Sequence, residues 1–101
     1  MFEERRVFPR YGFQADVEIN MDGKRLRSFL TDVSVGGVFI VARTPLWVGA
    51  EFDLKVLLAE PIEARCQVRR AAMGQGMGVL FLGLNETAKE RLDRLLRLLA
   101  V

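Results

Sequence analysis

The chain has 101 residues, half of them hydrophobic and 28% charged, with a formal net charge of +2; that suffices for one domain with a packed core and is too short to divide further. A single cysteine, Cys66, excludes an intrachain disulfide, and the absence of histidine removes the commonest catalytic base and metal ligand. No apolar run reaches the length of a bilayer span and the N-terminal stretch MFEERRVFPR lacks a signal-peptide core, so a cytoplasmic location without membrane insertion is expected.

Of the 15 basic residues, 12 are Arg, the planar, bidentate donor that suits phosphate and guanine. Residues 1–11 carry Arg5, Arg6 and Arg10 with almost no core periodicity, and Pro9 forbids a regular helix there. An extended, mobile arm is expected. From Phe13 the pattern changes: Phe13, Ala15, Val17 and Ile19 alternate with polar residues as in a half-buried strand, and Asp22-Gly23 supplies a two-residue hairpin turn.

RLRSFLTDV and GVFIVA form the second and third strands, the latter after Gly36-Gly37. EFDLKVLL, with Phe52, Leu54, Val56 and Leu58 on one face, forms the fourth. In the fifth, IEARCQVRR, the residues Ile62, Ala64, Cys66 and Val68 point one way and Glu63, Arg65, Gln67 and Arg69 the other. GQGMGVLFL forms the sixth. Six short strands without helical crossovers predict a mainly β fold, an antiparallel barrel or sandwich over residues 12–83.

The period then becomes helical, with Ala88, Leu92, Leu95, Leu96 and Leu99 on one face and Glu90/Arg94 and Asp93/Arg97 at pairing distance on the other, predicting one helix over 86–100. Thr87 to Glu90 has the form of a capping box and Asn85 competes as the cap. Leu98 widens the apolar stripe, implying deeper burial or a dimer contact. Trp47, in the connection between strands three and four, reads as a plug for the barrel end, the alternative being a surface for a partner protein.

Catalysis is not expected. Cys66 falls at an inward strand position and reads as inert core, and the acidic residues do not cluster as metal ligands would. Two segments remain. Arg5-Arg6-Val7-Phe8-Pro9-Arg10 is by itself a solvated basic tail, since the same RxxxR spacing recurs at Arg65 and Arg69 on an ordinary strand. Thr31-Asp32-Val33-Ser34-Val35-Gly36-Gly37 is by itself a turn. Their roles pair, however: a carboxylate accepts N1–H and N2–H of a guanine while Arg donates to O6 and N7.

RxxxR at Arg6 and Arg10, followed 22 residues on by DxSxxG at Asp32, Ser34 and Gly37, resembles the two signature motifs of the PilZ domain family. The segment Gly76-Met77-Gly78-Val79-Leu80-Phe81 before a last amphipathic helix is similar to the family's closing strand. The resemblance implies a six-stranded antiparallel β-barrel with a C-terminal α-helix that binds the second messenger cyclic di-GMP and needs no cofactor. Arg6 and Arg10 would wrap the ligand from the arm, Asp32 would hold a guanine and Ser34 a phosphate, and Gly37 would let the ligand approach the backbone. Arg5, a basic residue just before RxxxR, implies two ligand molecules per chain.

With no second domain, output would pass to an unidentified downstream protein as the ligand orders the arm. The rival reading is a PilZ-like protein adaptor that binds no nucleotide. A nucleic-acid polymer is disfavoured as ligand, because most Phe residues have core parity instead of standing outward among basic side chains.

Overall fold

The computed structural model describes residues 8–101. Six strands, β1 (Tyr11–Met21), β2 (Lys24–Val33), β3 (Gly37–Val41), β4 (Glu51–Val56), β5 (Ile62–Ala72) and β6 (Gly76–Gly83), precede one helix, α1 (Glu86–Leu99). All strand pairs are antiparallel and the sheet closes on itself in the order β1-β2-β3-β6-β5-β4. The expected barrel with a C-terminal helix is therefore the fold. β1 begins at Tyr11, inside the stretch expected as an arm.

Alternation decides which side chains fill the barrel. Val17, Ile19, Leu30, Ile40, Phe52, Leu54, Val68 and Met77 are almost fully buried, and their apolar area supplies the main drive for closure. Asp22 and Gly23 both take positive φ, 52° and 79°, which matches a twisted two-residue hairpin. Cys66 is fully buried, and burial, reinforced by Asp53 and opposed by Arg65, pushes its thiol up to about 12. It stays protonated and unreactive at neutral pH.

α1 packs against β5 and β1 through Ala88 and Leu92, with Leu95, Leu96 and Leu99 beside them. Asn85 is the cap: its side chain accepts from the Ala88 amide at 2.8 Å, so the Thr87 capping box is not used. Asp93 pairs with Arg97 as expected, but Arg94 turns to Glu60 at 2.8 Å instead of Glu90, and Arg91 donates to the Pro61 carbonyl. These bonds fasten the helix to the β4–β5 connection. Leu98 is exposed, which excludes the deeper burial its position suggested.

Trp47 does not plug the barrel. It is 62% exposed beside exposed Val48, while its neighbour Leu46 packs against the core. The connection is held instead by backbone bonds from Gly49 to Val68 and from Gly74 to Arg43. Among the described residues no helix is long and apolar enough to cross a membrane.

Backbones approach most closely where β3 meets β6. A Cβ on Gly37 would stand 1.9 Å from the Val79 carbonyl oxygen, and one on Gly76 would stand 2.2 Å from that of Ile40. Glycine is thus needed at both ends of the β3–β6 ladder. Gly36, one residue earlier, would meet only side chains at ordinary contact distance, the Phe8 ring at 3.5 Å and Ser34 Oγ at 3.9 Å. Gly37→Ala is expected to lower stability by at least about 1 to 3 kcal/mol, the range for an overpacked site, and Gly36→Ala by far less. Urea denaturation of the two variants checks this; equal stability would contradict the close approach.

Candidate functional site

Strict alternation would send Asp32 into the barrel, because Leu30, two residues earlier, is 1% exposed and points inward. A bulge intervenes. Leu30 pairs with Ile40 but Asp32 pairs with Phe39, so Thr31 is an extra residue that turns Asp32 outward. A bulge in β1 between Gly12 and Ala15 matches it and sets Gly12 opposite Asp32. Gly12 has no atom within 4 Å of its missing side chain, which keeps the flank of Asp32 open.

Into this opening comes Arg10, whose Nη2 donates to Asp32 Oδ1. The two signature segments, 22 residues apart in the chain, therefore meet through one ion pair. The pair is partly solvated, with side chains 49% and 30% exposed, so it contributes about 0 to 1 kcal/mol and can be exchanged for another partner. Phe8 lies across Gly36, so residues 8–10 run along the turn that follows β2.

That turn is built by Ser34. Its side chain is buried, accepts from the Gly36 amide at 3.1 Å and lies 3.4 Å from the Gly37 carbonyl; its own amide donates to the same carbonyl at 2.9 Å. Ser34 thus faces into the loop it shapes. The place of a Gly37 side chain is taken by the Val79 carbonyl of β6, so this glycine serves barrel closure. Arg5 and Arg6 lie outside the described residues.

Arg65, in the second RxxxR, reaches Asp53 at 3.3 Å and Glu51 at 3.7 Å over β4. It is engaged with the acidic side chains of β4, at the outward position its strand parity implied. No group of acidic or cysteine side chains is arranged to hold a metal ion among the described residues. What Arg10, Asp32 and the loop can do is present a carboxylate and a guanidinium side by side on an open surface, a donor and acceptor set that fits the edge of a guanine.

The sequence did not single out the residues that extend this surface. Across the barrel exterior the ladder places Gly12, Asp32, Phe39, Gly78 and Arg70 in one row, on β1, β2, β3, β6 and β5. Arg70 reaches it through a bulge in β5, between Val68 and Arg70, that turns it outward just as Thr31 turns Asp32. Phe39 leans over Gly76, while the Arg70 guanidinium lies over Gly78.

Comparison with known proteins agrees with this architecture. Solved structures with the same fold include the PilZ domain of YcgR from Escherichia coli with c-di-GMP, at 19% identity and a TM-score of 0.79, covering 96% of this chain and 92% of that one. The inhibitor of motility MotI/DgrA from Bacillus subtilis matches at 22% identity and 0.74, over 94% of this chain and 53% of that one. The PilZ domain of CeSA from a cellulose-synthesizing bacterium matches at 21% identity and 0.66, over 92% and 99%. No curated protein matches by sequence. The PilZ domain family model matches residues 4–98, nearly the full length, and on that match the chain belongs to the PilZ domain family.

Proposed function

We propose that this chain is a receptor for cyclic di-GMP that works by binding and not by catalysis. The observation that carries the reading is the meeting of Arg10 with Asp32 beside the Ser34 turn. Structures of the E. coli YcgR PilZ domain and of YcgR in complex with c-di-GMP share the fold and support the choice of ligand. In this reading a guanine offers N1–H and N2–H to the Asp32 carboxylate, and Arg10 turns to the guanine O6/N7 edge or to a phosphate. Ser34 acts by holding the loop, and Gly37 by letting β6 close against β3.

Arg5 and Arg6 are assigned further guanidinium contacts, and Arg5 a second ligand molecule. Two phosphates per ligand neutralise three nearby guanidinium groups; residues 8–11 already lie on the barrel, so in this reading the ligand orders the segment that carries Arg5 and Arg6 against it and alters the surface offered to a downstream protein.

Calorimetric titration with cyclic di-GMP tests the reading. Two ligands per chain are expected, falling to one in Arg5→Ala. Arg10→Ala and Asp32→Ala should each weaken binding by about 1 to 3 kcal/mol, and Arg65→Ala should leave it unchanged. GTP, GMP and cyclic di-AMP serve as controls. No heat of binding would leave the protein adaptor as the surviving account, and equal losses at Arg65 and Arg10 would contradict the site.

Limited trypsin digestion tests the relay. Cleavage after Arg5 or Arg6 should slow strongly at saturating cyclic di-GMP while strand sites resist in both states. An unchanged rate would refute ordering of the arm even with binding confirmed.

A further inference from the structure

The barrel closes over only part of β2. Its ladder with β1 runs from Lys24 to Val33, whereas its ladder with β3 begins at Leu30. β3 ends at Val41 and the chain then turns away from β2: the Ala42 amide donates to the Gln75 carbonyl at 3.1 Å, and the Gly74 amide donates to the Arg43 carbonyl at 2.8 Å. Ser28 makes the last link between the two strands, its hydroxyl donating to the Val41 carbonyl. Among the described residues, Lys24 to Arg27 therefore have a strand on one side only.

The two-residue turn at Asp22-Gly23 makes Met21 and Lys24 a hydrogen-bonded pair. Alternation from there points the backbone groups of Lys24 and Leu26 toward β1 and those of Arg25 and Arg27 toward the open edge. Leu26 stands opposite Ile19 and shares its inward face, yet it is 49% exposed where Ile19 is 3%. A groove lies beside it, lined by Ile19, Val41, Leu46 and Met77, with Arg27 and Arg43 as its only charged side chains among the described residues. Glu18 pairs with Arg27 at 3.2 Å, whereas Lys24, Arg25 and Arg43 have no acidic partner within ion-pair distance among the described residues.

An open strand edge beside an uncovered apolar side chain of core parity is the arrangement that takes up an extended peptide as an added strand. The charge selects the occupant. A second copy paired through the same edge sets Lys24, Arg25 and Arg27 against themselves, and like charges on facing strands repel. An acidic strand turns the same charges into attraction.

We propose that Lys24 to Arg27 is a docking edge for an acidic, extended segment of a partner protein, which adds to β2 as a strand and sets an apolar side chain over Leu26 and the groove. The edge lies at the opposite end of β2 from Asp32, so the assignment stands independently of nucleotide binding.

Fluorescence anisotropy with labelled heptapeptides in which Glu or Asp alternates with Val, Ile, Leu or Tyr tests it, the same peptides with Lys in place of the acid being the controls. Acidic sequences should bind and the Lys set should not, and binding should slow hydrogen exchange at the Arg25 and Arg27 amides. Arg25→Pro removes an amide that β1 does not use and should weaken binding about tenfold, the loss of one backbone bond. Leu26→Glu, at an exposed position, should weaken it by at least about tenfold by setting a carboxylate in the groove, and Arg43→Glu by about fivefold. Leu98→Glu, exposed on α1, should bind as the wild type does, and thermal melts confirm that each variant is folded. Absence of binding by every acidic peptide, equal binding by the Lys set, or unchanged exchange at Arg25 and Arg27 in the bound state overturns the proposal. So does a concentration-dependent dimer that protects the same two amides, because a second copy then fills the edge.

Discussion

The closed barrel depends on how tightly β3 can lie against β6. β3 has only five residues, and glycine stands at both ends of its ladder with β6, Gly37 opposite Leu80 and Gly76 opposite Val41. At each place a carbonyl oxygen occupies the volume where a side chain would begin. Open that seam and the sheet has two free edges, the core built from Ile40, Met77 and Val79 is exposed, and the Ser34 turn loses the strand that anchors its far side. The DxSxxG segment is thus a structural device as much as a recognition motif. Its serine and last glycine make the corner from which its aspartate is displayed.

Display itself depends on bulges. A barrel this small fills its interior with every second side chain, so a polar residue in phase with the core must be turned out or be buried at a cost of several kcal/mol if charged. Asp32 follows Leu30 in phase and Arg70 follows Val68 in phase; each is turned outward by one extra residue. Both bulges deliver charged groups to the same exterior row, with glycines at Gly12 and Gly78 keeping it low. The ion pair of Arg10 with Asp32 is partly solvated and weak enough to exchange for another partner.

Alternation in FQADVEIN, EFDLKVLL and IEARCQVRR made the strands readable, because one buried face leaves a period of two that propensity alone does not. The helix was readable from Leu92 to Leu99 for the same reason. Asn85 and the Thr87 box both satisfied the local rule for a cap, and the bond from the Ala88 amide to Asn85 is the one that forms. Trp47 was misread because bulk suggests burial, whereas backbone bonds hold its loop and leave the indole outside. At the candidate site, Asp32 was visible through its motif. Arg70 was not: a bulge interrupts the alternation that would have placed it, and the ladder register that sets it beside Gly78 is a long-range property. Its one sequence trace is the doubled Arg69-Arg70 after Val68, two charged neighbours where a simple strand would bury one.

In the proposed receptor the exterior of β2, β3, β6 and β5, and not the apolar end near Trp47 or the Arg65 face, receives the ligand. Backbone amide chemical shifts in a cyclic di-GMP titration followed by NMR read this directly. Large shifts are expected at Asp32, Gly36, Phe39, Gly78 and Arg70, with Asp53, Lys55 and Arg65 nearly still. Shifts concentrated at Trp47, Val48 and Met73, or along β4, with the Asp32 to Arg70 row unmoved, would contradict it.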